Sequence, residues 1–384
     1  MVRISAYVYL LFSTFSMMVF FFPLYLQNKG LDSSQIGAIF ACGAFVSIFA
    51  QPFWGYVSDR TKTIKKIIIV ILTASLFLSM GLLSMGSFTM IILFYAVFMF
   101  FNSASAPLTD TLTISYAHEN NKDYGRIRLW GEVGVGISAL LLGLLVERIG
   151  IDYLRYIYAV ALSFAIIAAL LLKDTKATPV PVNLAALGKL FMKPRLLWFL
   201  LVVLIISIPH RMNDSMLAIY LSELGASETQ LGMAWFVATI STVPALFFVG
   251  KLIERWSALG IFIIGAVIYI IRWAIYSQTD NPSVLIAAQA LHGLSFPLFF
   301  VASIHYLSTL VPNELRATGQ AALAVTFGGL GGIIGSAAGG YTMDNFGPHT
   351  AFGAGSIFAL VGTVAAVSTV LFHKRSATQQ VQDS

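Results

Sequence analysis

Apolar runs long enough to cross a lipid bilayer recur twelve times along this chain. A helix crosses about 30 Å of hydrocarbon in roughly 20 residues. Runs of that size, broken by Gly, Pro or charged residues, fall near 4–27, 34–57, 65–84, 88–116, 128–146 and 153–172. A second set falls near 196–221, 229–253, 259–277, 283–309, 318–341 and 349–372. The runs are too long, and alternate too little, for outer-membrane strands. The first has no small-residue cleavage signature and eleven more follow it, so it is expected to remain as an anchored helix. Composition agrees, with 58% hydrophobic and only 10% charged residues, against about 25% charged in soluble domains. So few charges cannot cover a water-facing surface, which excludes a soluble enzyme. The expected fold is an all-α membrane protein with twelve transmembrane helices.

Basic residues give the orientation, because cytoplasmic loops concentrate Lys and Arg. With the N-terminus inside, 17 of the 23 lie in cytoplasmic segments and 3 (Lys29, Arg148 and Arg155) in outer ones. Arg128, Arg211 and Arg272 lie within spans. Both termini are therefore expected in the cytoplasm of a multi-pass protein of the cell membrane. The net charge of +6 is then topological, and no nucleic-acid partner is expected. The one long connection, about 173–195, is polar and carries Pro179 and Pro181. It divides the chain into six-helix halves, 1–172 and 196–373, with a cytoplasmic tail over 374–384. The other loops are too short for a nucleotide-binding domain, and there is no Gly-x-x-x-x-Gly-Lys-Ser/Thr phosphate loop. Any transport must run on ion gradients or facilitated diffusion. The single cysteine, Cys42, excludes a disulfide framework and a cysteine-based metal site. No cofactor, no metal and no enzymatic activity are expected. The expected partners are a small-molecule substrate, a proton and membrane lipid, and the chain is read as a monomer.

The halves repeat each other. A shift of 195 residues places Tyr25-Leu26 on Tyr220-Leu221, Gly30 on Gly225, Gln35 on Gln230 and Gly37 on Gly232. The same register sets Gly55 on Gly250, Asp59 on Glu254 and Arg60 on Arg255, and a shift of 190 sets Pro107 on Pro297 and Arg126 on Arg316. Paired repeats facing each other across a midplane site are a transporter architecture.

Gly55-Tyr-Val-Ser-Asp59-Arg60-Thr-Lys62, after the second run, resembles the signature of the major facilitator superfamily, and the resemblance covers essentially the whole chain. The family usually has Gly where Lys62 stands, and its closing basic pair arrives late, as Lys65-Lys66. The resemblance implies two six-helix bundles. It also implies a gating role for Gly55, Asp59 and Arg60 and for their counterparts Gly250, Glu254 and Arg255. An anion at a helix end can pair with a neighbouring helix or a basic group and hold the bundles in one state.

Ionisable residues inside spans are costly, by about 2.5–3.5 kcal/mol on insertion scales, and mark functional sites by default. Here they are Asp110, Arg128, Glu132, His210, Arg211, Asp214, Arg272, His292 and His305. Three acids balance three arginines across both halves, as a central polar cavity requires. Arg128 and Glu132 at i,i+4, and Arg211 and Asp214 at i,i+3, share helix faces, so each pair could also merely neutralise itself. Arg272 has no local acid and needs a partner on another helix or an anionic substrate. His292 alone reads as a hydrogen-bonded core histidine, and His305, near a helix end, as structural.

Phe101-Asn102…Ala106-Pro107…Asp110 followed by Tyr124-Gly125-Arg126-Ile127-Arg128-Leu129-Trp130-Gly131 resembles the lactose permease group of proton symporters. It also resembles the related phenylpropionate and nucleoside permeases. Asp110 and Arg128, 18 residues apart, match an acid and an arginine that contact sugar in the lactose permease. Asp214, Arg272 and Leu291-His292…Pro297 match its groups on helices 7, 9 and 10. Ser295 replaces the helix 10 acid that carries its proton, Gln289 a lysine and Val135 the stacking tryptophan. These departures count against galactoside binding and move the proton to another acid. The resemblance implies proton-coupled uptake of a small polar or anionic solute of aromatic-acid, sugar or nucleoside class. Asp110, Arg128, His210, Arg211, Arg272 and His292 are the expected substrate contacts. Glu132, Asp110 and Asp214 are the expected proton carriers. The competing readings are a drug or metabolite efflux antiporter on the same fold and a non-transporting sensor or scaffold. The second has no signalling domain to support it.

Overall fold

The computed structural model describes residues 1–174 and 193–382. The connection expected over 173–195 lies mostly outside the described residues, as does the end of the 374–384 tail. In hydrocarbon no water replaces a lost backbone hydrogen bond, so a chain this apolar satisfies its backbone within helices. Among the described residues there is no strand. In the first half the helices are α1 (Val2–Asn28), α2 (Ser33–Thr61), α3 (Ile64–Leu82), α4 (Phe88–Glu119), α5 (Tyr124–Ile149) and α6 (Ile151–Leu170). The second half begins with α7 (Pro194–Glu223), α8 (Glu228–Trp256), α9 (Ala258–Tyr276) and α10 (Pro282–Leu310).

The last apolar segment, Arg316–Leu371, runs 56 residues, roughly 84 Å at 1.5 Å per residue and far beyond one crossing. It breaks at Gly347, whose φ of 81° and ψ of 165° leave the helix, and Pro348 follows without an N–H to continue the ladder. The segment is therefore two helices, α11 (316–346) and α12 (348–371), which makes twelve spans among the described residues.

The sequence repeat is also a repeat of backbone conformation. Asp32 with Gln35 and Ser227 with Gln230 form capping boxes that start α2 and α8. The turns before them close on Gly30 (φ 84°) and Gly225 (φ 77°). At the far ends of α2 and α8, Lys62 (φ 54°) and Ser257 (φ 79°) both take a positive φ, and they too are 195 apart. Glycine adopts that conformation at least cost, which is why it suits the place where Lys62 stands. The Tyr25 hydroxyl donates to the Leu83 carbonyl at 2.5 Å, and its counterpart Tyr220 to the Thr279 carbonyl at 2.6 Å.

Inside each bundle, helices meet on small residues. The Ser16 and Ser138 hydroxyls lie 2.7 Å apart between α1 and α5. A Cβ on Gly335 of α11 would come within 2.3 Å of the Ile208 carbonyl oxygen of α7. Close approach on small side chains is how helices associate where lipid is as apolar as leucine. Outward-facing Phe77, Phe247 and Ile357 are exposed, as a lipid-facing surface requires.

The two bundles touch at the end away from the termini. There α2 packs on α11 and α5 on α8, and a Cβ on Gly37 would lie 2.3 Å from the Ser336 carbonyl oxygen. On Gly232 it would lie 2.5 Å from the Ala139 carbonyl oxygen. Phe20 of α1 stacks on Trp235 of α8 with ring centroids 3.9 Å apart. Hydrogen bonds cross here from Ser34 to Asp344 (2.7 Å) and from the Thr229 amide to Glu147 (3.0 Å). At the opposite end, a Cβ on Gly55 or Gly250 would meet nothing within 4 Å. The molecule is closed at one end and open at the other.

Candidate functional site

A cavity of about 440 Å³ lies between the bundles. From the first half, α1 contributes Phe15 and Val19, α2 Phe40, Ser47 and Gln51, and α4 Tyr95, Met99 and Pro107. From the second, α7 contributes Arg211, Asp214 and Ser215, while α11 contributes Gly328, Gly329 and Ser336. The first-bundle wall carries the rings of Phe15, Phe40 and Tyr95, and the second-bundle wall carries an ion pair.

That pair is local, as its i,i+3 spacing predicts: Arg211 Nη1 lies 3.0 Å from Asp214 Oδ2. Arg211 also donates from Nε to the Phe327 carbonyl (3.4 Å) and lies over the Phe327 ring, 4.5 Å from its centroid. His210, one residue earlier, is buried behind the wall. Its Nδ1 lies 2.9 Å from the Tyr269 hydroxyl and its Nε2 3.9 Å from Asp214.

Further inside the second bundle, Arg272 is fully buried. It donates from Nε to the Tyr276 hydroxyl (3.3 Å), from Nη1 to His292 Nδ1 (3.0 Å) and from Nη2 to Gln289 Oε1. Arginine has donors only, so His292 accepts at Nδ1 and is uncharged there. The partner expected on another helix exists, but it is a neutral pair of side chains. No acid reaches the ion-pair distance of 4.0 Å from Arg272 among the described residues. Arg272 also lies 4.6 Å from the Trp273 ring centroid. His292 stacks on His210 (5.7 Å) and on Phe296 (5.5 Å).

The first-half charges form a separate group, one helical turn along α4 from the cavity-lining Pro107. Arg128 sits between two carboxylates, with Nε 3.2 Å from Asp110 and Nη1 3.1 Å from Glu132. The Tyr124 hydroxyl donates to Asp110 at 3.1 Å. The guanidinium lies 4.1 Å from the Phe12 ring centroid. Asp110, Arg128 and Glu132 are each about a quarter to a third exposed, at 34%, 26% and 29% of their side chains. Gly131, which closes the Arg-Leu-Trp-Gly run, makes room for them: a Cβ there would lie 2.6 Å from Arg128 Nη1 and 3.1 Å from Phe12.

The MFS_1 like family matches residues 1–354 of the chain. This protein belongs to the major facilitator superfamily. It is 27% identical to the maltose permease of Geobacillus stearothermophilus over 371 residues, covering 94% of this chain and 93% of that one. It is 24% identical to the probable 3-phenylpropionic acid transporter of Escherichia coli strain K12 over 325 residues, covering 83% and 85%. The crystal structure of the nucleoside transporter NupG superposes with a TM-score of 0.84 at 16% identity, covering 97% and 98%. These relatives are transporters rather than enzymes, and the chain is a multi-pass transporter of the cell membrane.

Within this superfamily fold, the expected gating residues stand at the open end. Asp59, Arg60, Glu254 and Arg255 are exposed, and neither Asp59 nor Glu254 makes an ion pair among the described residues. His305 lies apart on α10. The cavity positions of Phe15, Phe40 and Tyr95, and the Tyr124 and Phe12 contacts to the first-half charges, were not anticipated from sequence. Tyr124 had a signal, standing four residues before Arg128 on the same helix face. No group of His, Cys, Asp or Glu among the described residues is arranged to hold a metal.

Proposed function

We propose that this transporter is a proton-coupled importer of a small polar or anionic organic solute, working by alternating access. The observation that carries this reading is Arg128 held between Asp110 and Glu132. Two carboxylates on one guanidinium leave one negative charge uncompensated in the spans, where charge is costly, and a proton removes it. Glu132 is the carrier, because Asp110 has the Tyr124 hydroxyl as a second donor and Glu132 has none besides Arg128 among the described residues. Asp110 with Arg128 contacts solute from the first bundle, and Arg211, backed by His210, Arg272 and His292, from the second. The basic-residue bias places the open end in the cytoplasm, so the described conformation faces inward. A maltose permease and a 3-phenylpropionic acid transporter among the relatives support the small organic solute class. In proteoliposomes, Glu132→Gln is expected to abolish accumulation driven by a pH gradient while solute exchange persists. Full accumulation in that variant would remove Glu132 from the coupling role.

A further inference from the structure

Asp110, Arg128 and Glu132 lie in the first bundle and Arg211, Asp214 and Arg272 in the second, three to each, but their charges balance in neither. In the first bundle Asp110 and Glu132 share the one guanidinium of Arg128, so the group carries an excess negative charge. In the second, Arg211 and Arg272 are set against Asp214 alone. Asp214 pairs with Arg211 at 3.0 Å, and buried Arg272 meets Gln289, His292 and Tyr276. This group carries an excess positive charge. The six charges cancel only when both bundles are counted together.

We infer that each bundle is neutralised by its own ligand, the first by a proton and the second by a singly charged organic anion, so that transport moves no net charge. This rests on the proton-symport reading and adds the substrate class and the stoichiometry. A neutral solute would leave the second bundle positive when loaded, and a dianion would leave the loaded site negative. Arg211 is the arginine that lines the cavity, and its planar fork matches a carboxylate or sulfonate in a way that lysine does not. Arg272 supplies charge from behind. Phe15, Phe40, Tyr95 and Met99, on the wall formed by the other bundle, suit an apolar or ring-shaped body. The titratable and charged groups around the proton site are Arg128 and Tyr124 on α5 and Asp110 on α4. From α1 comes the Phe12 ring. From α8 come Phe236 and Thr239, against Gly136 one turn along from Glu132. Around the anion site they are His210 and Asp214 on α7, Tyr269, Arg272 and Tyr276 on α9, and His292 on α10. From α4 comes Tyr95.

The test is steady-state accumulation in proteoliposomes under a pH gradient and, separately, under a valinomycin-set potential, with flux into protein-free vesicles subtracted. The probes are hippurate, glucuronate and benzenesulfonate as monoanions, with maltose and uridine as neutral solutes. A monoanion should accumulate about tenfold per pH unit and stay unchanged by 100 mV. A neutral solute carried with one proton would gain about 50-fold from the same potential. In Glu132→Gln the anion should travel alone, so the pH response disappears and an inside-negative potential now lowers accumulation. The double variant Arg211→Gln/Asp214→Asn removes the cavity contact without stranding a charge, and should express normally while losing at least about tenfold of monoanion uptake. Accumulation of maltose or uridine with a potential response, and of no monoanion, would overturn the inference and leave proton symport standing. So would monoanion uptake that grows with potential, or normal uptake by the double variant. Absence of accumulation under either gradient would overturn both readings.

Discussion

The two ends of the inter-bundle interface carry equivalent glycines in opposite circumstances. Gly37 and Gly232, 195 residues apart, have no room for a methyl group, since the neighbouring backbone lies within 2.5 Å of where it would sit. Gly55 and Gly250, related by the same shift, stand in open space. A glycine that must be small in this conformation marks a contact already made. A glycine free of neighbours at the opposite end of the same helix, followed by the Asp59 or Glu254 anion, is where a contact is expected in another conformation. On the alternating-access reading proposed above, the pattern is that of a rocking pair of bundles with one end shut, and it divides residues expected to hold this state from residues expected to hold the alternative one.

The largest effect is expected from Gly37→Leu or Gly232→Leu. Each forces a side chain into facing backbone, and overpacking of this kind costs about 1–3 kcal/mol. The cost falls on the closed end alone, so the equilibrium should shift by about 5–150-fold toward opening there. A cysteine at Val19, on the cavity wall, in a Cys42→Ser background, reports this. Its reaction with a membrane-impermeant maleimide, applied from the closed side, should accelerate by at least about tenfold, and net transport should collapse. Unchanged labelling would mean that the bundles do not separate at these glycines.

A smaller and opposite effect is expected at the open end. Gly55→Leu has nothing to strike in this conformation, so thermal stability in detergent should stay within about 0.5 kcal/mol of the parent, as for surface substitutions. The alternative state should suffer instead. Turnover should fall several-fold with little change in solute affinity, and Asp59→Asn and Glu254→Gln should do the same. A large loss of affinity at normal turnover would place these residues at the binding site rather than the gate.

The fold was legible because the bilayer leaves little choice: a run of about 20 apolar residues has to be a helix. Even the break at Gly347-Pro348 stood in the sequence as a Gly-Pro step between two runs. The charge clusters were legible for a related reason, since ionisable groups in spans are rare enough to be found by inspection. Asp110 and Arg128, 18 residues apart, meet at 3.2 Å because a tight turn folds α5 back along α4. What stayed hidden was set by rotation of helices about their own axes. Phe40 lines the cavity while Phe45 faces outward, and in a chain with 30 phenylalanines hydropathy alone cannot distinguish them. The neutral partners of Arg272 were hidden likewise. Spacing shows that it lacks a local acid, but three dimensions are needed to bring Gln289 and His292 onto it.

The smallest effect tests whether position at the closed end matters, or only contact across it. Lys29 and Asp152 lie at that end and pair at 3.2 Å, but both belong to the first bundle. Lys29 is 34% and Asp152 65% exposed, and exposed pairs contribute about 0–1 kcal/mol. The hydrogen bond to Asp152, with the Tyr25 ring beside it, holds the Lys29 ammonium above its ordinary range. A raised lysine gives stability that is complete at low and neutral pH and fades only as pH climbs through the folded value, so the pair should contribute equally at pH 6 and pH 9. Asp152→Asn should therefore lower the melting temperature by no more than about 2–4 °C at either pH, and by less in high salt. Maleimide labelling at the Val19 cysteine should match the parent, because both charges move with one rigid bundle. An increase comparable to that from Gly232→Leu would show that the loops at the closed end, and not the glycine contacts between bundles, set the closed state.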